Sequence, residues 1–547
     1  MLAILAALPI VTAIVLMVGF RQKSGVSLFV SWLLCVLLAV LFWGMSAIHA
    51  AAFTALGFLS AINVILIVFA AIFLLNALIE LKFIETIGNG FNGVTQDRRI
   101  QILIIAWLFG AFIEGAAGFG TPGALAAPLL VGLGVPTFFA ALAALMANYS
   151  PVLFGAVGIP PVTGFNSIRP DLEARLGYEI TEAIFHNLTT MAAFTNIFVG
   201  SLVPVLIIAS IVIRDGKKRG LKDAVNILPL CLFAGLIFTI PVYIISHIGP
   251  EIPTLLSSLI AMPIMIFAVK RGFLVPKEVY RFKDDPIKEA SEITDTGVSL
   301  LTAWSPYVII ALLLAITRLP WLPFRDWLAH PGVTLGVTGI FGIDGINWSL
   351  PILNNPGLFP FIPIALIFLI ARKTPGKTIS KITIKTLGQL KNAVLALLFG
   401  VALVQIMRFT NFSAGDGQLE AMTTEIARTL AITFGTAYPL VGPIIGALGT
   451  FVSGSHTVSN VMFYALQLET AEMLGLPVVL VLIGQTSGAS IGNMIAIHNV
   501  VSITATTGAH GSESKLISAA AIPFLICCLL ISLILFIYLA IGVSWIY

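Results

Sequence analysis

The most restrictive feature of this sequence is a series of long, nearly uncharged apolar stretches. A helix needs about 20 apolar residues to cross the ~30 Å hydrocarbon core of a bilayer. Only 10% of the residues are charged, whereas a soluble domain carries roughly 25%. The sequence therefore predicts an all-α polytopic membrane protein and excludes a soluble one. The predicted spans are 3–20, 26–43, 59–79, 188–213, 226–248, 252–270, 300–318, 358–371, 391–409 and 516–545.

Lysine and arginine are distributed unevenly between the loops. Cytoplasmic loops of membrane proteins carry an excess of these residues. If the spans alternate and the N-terminus lies outside, 23 of the 29 basic residues fall on one side. This asymmetry predicts that the N- and C-termini both lie outside. The net charge of only +4 gives no indication of a nucleic-acid partner.

Several other functional classes lack their sequence signatures. Residues 2–20 have no basic segment before the apolar run and no small-residue cleavage site after it, so we expect a retained span. The cysteines lie in apolar runs without metal-ligand spacing, which predicts buried residues, no disulfide framework and no metal site. No nucleotide-binding loop is present, and we expect no cofactor. The cysteines are Cys35, Cys231, Cys527 and Cys528.

The two halves of the chain resemble each other. Residues 108–115, LFGAFIEG, match residues 447–454, ALGTFVSG, and the tripeptides GVP at 134–136 and GLP at 475–477 follow at a similar offset. Under the charge-derived topology, corresponding spans cross the membrane in opposite directions, as in transporters with inverted repeats. We therefore expect a first repeat over 1–213, a linking hairpin and cytoplasmic loop over 214–298, and a second repeat over 299–547.

Two apolar regions, 100–165 and 431–505, are interrupted by Gly, Pro, Ser, Thr and Asn. Irregular backbone at membrane depth is tolerated only where it is buried in protein or lines a cavity. Helix N-termini at such breaks attract carboxylates. We therefore predict that the breaks at 114–122 and 453–460 meet near the midplane and bind a small anion, although Gly and Ser also serve close helix packing. The predicted binding residues are Gly115, Gly118, Gly120, Thr121, Asn148, Tyr149, Ser150, Ser453, Gly454, Ser455, Thr457, Ser459, Asn460, Gln485, Thr486, Ser487 and Asn493.

Titratable residues within these regions are candidates for ion coupling. Glu114 is interpreted as the one acidic residue at membrane depth, where a carboxylate is costly and therefore suggests function. We predict that Glu114 takes part in proton coupling, the alternative being that it caps the amides of its own hairpin. His456 and His498 titrate near neutral pH and are further proton-coupling candidates, or simply hydrogen-bonded polar residues. Arg408, at a span end, either pairs with a substrate carboxylate or extends to the membrane interface.

The interrupted regions also carry recognisable motifs. Residues 110–122, GAFIEGAAGFGTP, and 155–160, GAVGIP, resemble the signature region of the lactate permease family. Residues 411–413, 453–460 and 486–488 resemble its second-half motifs. The resemblance implies a secondary transporter of the plasma membrane that moves L-lactate, D-lactate and glycolate with protons. It also implies an elevator-type fold, in which a scaffold domain, often dimeric, supports a mobile transport domain.

Together these observations predict a proton-coupled symporter of L-lactate and related 2-hydroxymonocarboxylates, and no enzyme. The partners are then a small monocarboxylate, protons and the lipid bilayer, with a homodimer as a possible assembly. A sodium-coupled transporter of another small carboxylate is the alternative. A channel, or a membrane-embedded enzyme using Glu114 and His456, belongs to a different class and has less support in the sequence.

Overall fold

The protein is a mostly helical, multi-pass membrane protein. The computed structural model describes residues 2–20, 22–91, 93–118, 121–216, 220–283, 296–318, 322–328, 330–412, 419–509 and 511–543. In these ranges, nine helical segments are long and apolar enough to cross a membrane, or up to twelve if each bent pair forms one span. A short antiparallel hairpin of β1 (Thr334–Val337) and β2 (Trp348–Pro351) was not predicted from the sequence.

Two long helices, α3 (Ala47–Glu80) and α20 (Gly376–Arg408), pack against each other. Gly57 allows this approach, since a Cβ atom there would lie only 2.4 Å from Cα of Ala402. Both helices begin well before the predicted spans 59–79 and 391–409. The added segment of α20 is rich in lysine and so carries no apolar run, although it remains helical.

The first interrupted region folds into short helices joined by breaks. Its first segment runs from Arg98 through a π-helical stretch, Leu103–Phe109, to Ala116 and is almost entirely buried. The chain then reverses into a second short helix. The elements of this region are α5 (Arg98–Ile102), α6 (Gly110–Ala116), α7 (Thr121–Gly132), α8 (Thr137–Ala147), α9 (Tyr149–Val152) and α10 (Ile159–Asn166).

The second interrupted region has a similar order of short helices and breaks. Its helices α22 and α24 pack closely, because a Cβ atom on Gly488 would lie 2.0 Å from the carbonyl oxygen of Pro443. The elements are α21 (Met422–Phe434), α22 (Gly442–Ser453), α23 (His456–Leu474), α24 (Val478–Gly492) and α25 (Ile497–Thr507).

The remaining helices surround these two regions. The predicted span 188–213 is divided by a break after Gly200. The elements are α1 (Leu2–Ile14), α2 (Ser24–Leu41), α4 (Phe83–Asn89), α11 (Arg169–Leu176), α12 (Tyr178–Gly200), α13 (Val203–Arg214), α14 (Gly220–Asn226), α15 (Leu228–Ser246), α16 (Pro253–Lys270), α17 (Leu300–Arg318), α18 (Phe324–Leu328), α19 (Ile362–Ala371) and α26 (Glu513–Ile541).

Packing between α10 and α23 brings the two interrupted regions together. Gly164 of α10 faces α23 so closely that an added Cβ atom would lie 2.7 Å from Cβ of Asn460. On the other side of the first region, α6 packs against α16, where a Cβ on Gly115 would lie 2.6 Å from the amide nitrogen of Leu255. The breaks are thus enclosed by protein, which is the condition for irregular backbone at membrane depth.

Candidate functional site

The break after α6 is shaped by a glycine in the left-handed region. Helix α6 ends at Ala116, and Gly118 has a φ of +62°. The hydroxyl of Thr121 donates to the carbonyl oxygen of Gly118 over 2.6 Å, which anchors the start of α7. Of the predicted residues in this break, Gly120 lies outside the described residues.

The break between α22 and α23 is a second tight reversal. Gly454 terminates α22 with a φ of +72°. Ser455 caps α23, because its side-chain oxygen accepts a hydrogen bond from the amide of Val458 at 3.3 Å. The hydroxyl of Ser453 donates to the carbonyl oxygen of Gly449 over 2.7 Å. The first amides of α23, those of His456 and Thr457, have no acceptor within the helix.

A third break lies between α9 and α10. Gly155 and Gly158 have φ values of +53° and +70°, and Pro160 occupies the first turn of α10. A side chain at Gly158 would collide with the backbone of Pro250, since its Cβ would lie 2.5 Å from that carbonyl oxygen. These glycines therefore let the backbone turn sharply where it meets the other two breaks.

The three breaks surround one cavity. Its lining comes from the two halves of the chain, so residues far apart in the sequence face the same space. We call it the central pocket. The residues that line it are Glu114, Gly118, Asn148, Val152, Gly155, Ala156, Ile159, Pro160, Gly454, Ser455, His456, Thr457 and Asn493.

Glu114 is buried in the wall of the central pocket. Only 1% of the residue is exposed, and its Oε2 atom has no hydrogen-bond partner among the described residues. Gly118 and Gly155 leave room beside it, since a Cβ on either would lie about 3.5 Å from Oε1. The amide oxygen of Asn148, also in the lining, is likewise buried without a partner. A carboxyl group placed in this way can accept a proton or face a cation.

His456 fastens one break to the other. Its Nδ1 atom lies 2.8 Å from the carbonyl oxygen of Val152, which can only accept, so Nδ1 carries the hydrogen. In the neutral ring, Nε2 is then the acceptor, and the hydroxyl of Thr486 and the side-chain nitrogen of Asn460 each lie 3.1 Å from it. The Asn460 nitrogen also donates to the Thr486 hydroxyl over 3.1 Å. The imidazole is therefore fully hydrogen-bonded and connects three helices around the pocket.

Several predicted residues form a layer behind the pocket and do not line it. Ser459 donates to the carbonyl oxygen of Gly446 over 2.7 Å, and Gln485 bridges from the Ser459 hydroxyl to Gln467. These hydrogen bonds hold α22, α23 and α24 together. The predicted residues outside the lining are Gly115, Thr121, Tyr149, Ser150, Ser453, Ser459, Asn460, Gln485, Thr486 and Ser487, and their role in binding stays a prediction.

A second, larger cavity of about 1320 Å³ lies beside the central pocket, and we call it the vestibule. Thr121, Ser453 and His498, which were predicted for the site, line the vestibule instead of the central pocket. His498 is exposed, unlike the buried His456. The other polar groups on the vestibule wall come from α2, α3, α20, α25 and from Ser455.

Some residues of the central pocket were missed from the sequence. Val152, Gly155, Ala156, Ile159 and Pro160 were absent from the predicted binding set, although the pattern GAVGIP was noted. Two glycines before a proline inside an apolar run are a signal for a backbone break, and this signal marks the third wall of the pocket.

Two interpretations of charged residues need correction. Arg408 does not extend to an interface, because 3% of its side chain is exposed and it pairs with the carboxylate of Asp171 and the carbonyl of Ser167. Glu114 is not the only acidic residue within the packed helices. Glu469 of α23 is also largely enclosed, and its Oε1 atom accepts from the hydroxyl of Thr423 at 2.7 Å.

Comparison with known proteins agrees with the resemblance drawn from the motifs. A family model described as L-lactate permease matches residues 2–542. The putative L-lactate permease of Haemophilus influenzae is 30% identical, with 84% of each chain covered. The glycolate permease GlcA of Escherichia coli is 29% identical, covering 94% of this chain and 91% of that protein. The crystal structure of the Alcanivorax borkumensis YdaH transporter aligns with a TM-score of 0.47 at 12% identity, over 95% of this chain and 99% of that one.

Proposed function

Because this chain belongs to the L-lactate permease family, we propose that it is a secondary active transporter that carries L-lactate, D-lactate and glycolate across the plasma membrane together with protons. The observation that carries this proposal is the central pocket, where a buried, unpartnered carboxyl group faces the start of a helix from the other half of the chain. The sequence similarity to lactate and glycolate permeases supports the substrate class.

The lining of the central pocket suits a small hydroxy acid. The free amides at the start of α23 offer hydrogen bonds and a partial positive charge to a carboxylate. The hydroxyls of Ser455 and Thr457 lie in the same lining and can meet the 2-hydroxyl group. The apolar residues Val152 and Ile159 line the same pocket. A longer dicarboxylate would place its second charge against these apolar groups.

Proton coupling follows from the charge of the substrate and the position of Glu114. Carrying a monocarboxylate anion into a negative interior costs about 2.3 kcal/mol per 100 mV. One proton cancels this charge, so the loaded carrier moves no net charge. Neutral Glu114 avoids the cost of a buried carboxylate, which supports it as the group that takes the proton. His456, whose nitrogens are both engaged, is proposed to position the pocket.

We further propose that the chain is an inverted repeat, with halves 1–213 and 299–547 linked by 214–298, in which 100–165 and 431–505 move against a scaffold. The parallel order of short helices and breaks in the two regions supports this proposal. The pairing of the long helices α3 and α20, one from each half, suits a scaffold. The excess of basic residues in one set of loops supports placing both termini outside.

A sodium-coupled mechanism is the second candidate, and one observation favours it. The unpartnered oxygens of Glu114 and Asn148 both belong to the lining of the central pocket. Hard cations take oxygen ligands, and transporters commonly hold Na⁺ at unwound backbone. The choice between proton and sodium therefore has to be made by experiment.

The test is uptake of labelled L-lactate by the purified protein in liposomes, with an imposed pH gradient and no sodium. We expect accumulation that a protonophore abolishes and that glycolate and D-lactate inhibit more strongly than succinate. Accumulation that requires a sodium gradient would replace proton coupling with the second candidate. Failure to take up lactate under either gradient would overturn the proposed substrate.

Glu114→Gln tests the coupling residue. We expect this variant to exchange internal for external lactate but to lose accumulation driven by the pH gradient. Glu469→Gln is a matched control, because it removes an enclosed carboxyl group that does not line the central pocket. If Glu114→Gln still concentrates lactate against its gradient, Glu114 is not the coupling group.

A further inference from the structure

We propose that the vestibule is the path by which the carboxylate reaches the central pocket, and that Lys385 draws the anion into it. This inference rests on the proposed function, since it concerns the same substrate class. Lys385 would act before binding, as a specificity-determining residue outside the central pocket.

The vestibule and the central pocket share part of one wall. Gly454 and Ser455, at the break between α22 and α23, line both cavities. On the vestibule side, the break faces α3 and α20 of the long helix pair. A change in the position of this break relative to α20 would therefore alter access from the vestibule to Glu114 and His456.

The vestibule wall carries a fixed positive charge and no carboxylate. Lys385 is the only Lys, Arg, Asp or Glu among its lining residues in the described chain. Within that same part of the chain, no acidic side chain lies within ion-pair distance of Lys385. A cavity lined by charge of one sign raises the local concentration of the opposite ion. The vestibule is thus selective for anions.

A second donor lies one helical turn from Lys385. The side-chain nitrogen of Asn76 donates to Oε1 of Gln389 over 2.7 Å and to the hydroxyl of Thr386 over 3.0 Å. These bonds orient the Gln389 amide, and its own NH₂ group has no acceptor among the residues that the structure describes. Positions 385 and 389 lie on one face of α20. Together they present an ammonium group and an amide to the same cavity.

The position along α20 indicates the side from which the substrate comes. Lys385 lies in the lysine-rich part of the helix, and Arg408 ends it, about 34 Å further along the helix path. The helix bends by 45° between Lys391 and Ala393. Arg408 is engaged by Asp171 and Ser167, whereas Lys385 faces open space. The described conformation therefore gives access from the side of the lysine-rich loops, which the charge distribution assigns to the cytoplasm.

The first test measures transport from that side as a function of salt. Lys385→Gln is expected to raise the KM for lactate about three- to ten-fold at low ionic strength, with little change in the maximal rate, and to flatten its salt dependence. Lys385→Arg should retain wild-type behaviour. Lys381→Gln is the control, because Lys381 is exposed one turn away but does not line the vestibule. Equal effects at both lysines, or no effect at Lys385, would overturn the inference.

The second test does not depend on the substrate. Ala393 lines the vestibule, and the four native cysteines are buried, so Ala393→Cys provides a single accessible thiol. A sulfonate thiol reagent should modify it at least three-fold faster than a quaternary ammonium reagent of similar size. Adding Lys385→Gln should remove that preference. If the thiol still reacts faster with the sulfonate reagent in the absence of Lys385, the inference is overturned, even if lactate transport is confirmed. If that preference is lost, the inference is supported, even if lactate proves to be the wrong substrate.

Discussion

The imidazole of His456 donates its Nδ1 hydrogen to the backbone carbonyl of Val152 across 2.8 Å. These two residues belong to different halves of the chain, and each lies at a break in a helix. The hydrogen bond therefore fixes the relative position of two walls of the central pocket. Because Thr486 and Asn460 also hydrogen-bond to this ring, one side chain connects three helices, α9, α23 and α24.

Replacing His456 should lower both the thermal stability of the protein and its lactate uptake. His456→Ala leaves the buried carbonyl of Val152 without its side-chain donor, at a cost of about 1–3 kcal/mol for an unsatisfied polar group. Thr486 keeps its hydrogen bond from Asn460, so the loss falls on the Val152 carbonyl. We expect a lower Tm in detergent and a large loss of lactate uptake. His456→Asn, which retains a donor near the Nδ1 position, should recover part of the Tm. An unchanged Tm in His456→Ala would show that the connection is not stabilising.

Gly155→Ala should impair transport by two separate effects. Gly155 has a φ of +53° and a ψ of −151°. A residue with a side chain would adopt this backbone conformation only at a cost of about 1–3 kcal/mol. In addition, the new Cβ would lie 3.0 Å from Cγ of Pro160, within the lining of the pocket. We expect at least a ten-fold fall in the lactate uptake rate.

Gly177→Ala separates these two effects. Gly177 also has a positive φ, of +83°, but nothing lies within 4 Å of an added Cβ. This control should lower the Tm by a similar amount while leaving lactate uptake near the wild-type rate. A comparable loss of transport in both variants would mean that backbone strain, and not the lost space, explains the Gly155 result.

The contact between Arg408 and Asp171 should contribute measurably to stability. Removing one partner of a buried ion pair costs about 3–5 kcal/mol, and Asp171 is 27% exposed, so we expect a value below that range for Asp171→Ala. The double variant Asp171→Ala/Arg408→Ala should lose less unfolding free energy than the sum of the losses in Asp171→Ala and Arg408→Ala alone. Arg428→Ala, at a side chain that is 47% exposed, should cost less than about 1 kcal/mol. Additive losses would contradict direct coupling, as measured by thermal unfolding in detergent.

Asp97 should be important for the assembly of the loops around α5. Its carboxylate accepts from the guanidinium of Arg99 at 2.6 Å and from the amide of Tyr280 at 3.0 Å. Asp97→Ala would leave the buried Arg99 with only carbonyl partners, and we expect a loss of about 3–5 kcal/mol. Glu173→Ala, which removes a partly exposed partner of Arg169 at 3.6 Å, should change stability by less than about 1 kcal/mol. Limited proteolysis and Tm measurements would distinguish these outcomes.

The family assignment was accessible from short motifs. The pattern at 110–122 led to the lactate permease family, and the match over residues 2–542 confirms it. The motif combines residues that close packing and a sharp backbone reversal require, so it can be recognised without knowing the tertiary contacts. The roles proposed for individual residues, such as Glu114 and Thr121, remain predictions.

Helix boundaries were harder to predict where a helix continues into a segment of charged residues. The lysine-rich start of α20 is helical because its lysines extend into solvent while other faces pack. An apolar run detects only the membrane-embedded part of such a helix. The same reasoning missed Arg408, which is buried because Asp171 and Ser167 provide acceptors from another part of the chain.

The sequence by itself established a multi-pass helical protein, through the length of its apolar runs and the scarcity of charge. This was possible because each membrane-spanning segment must pair its own backbone polar groups within a helix, which is a local requirement. The glycine-rich breaks were visible for the same local reason. Only the tertiary structure decided which groups meet there. The pairing of His456 with Val152, 304 residues away, depends on how whole helices pack, and no pattern within either segment specifies the acceptor.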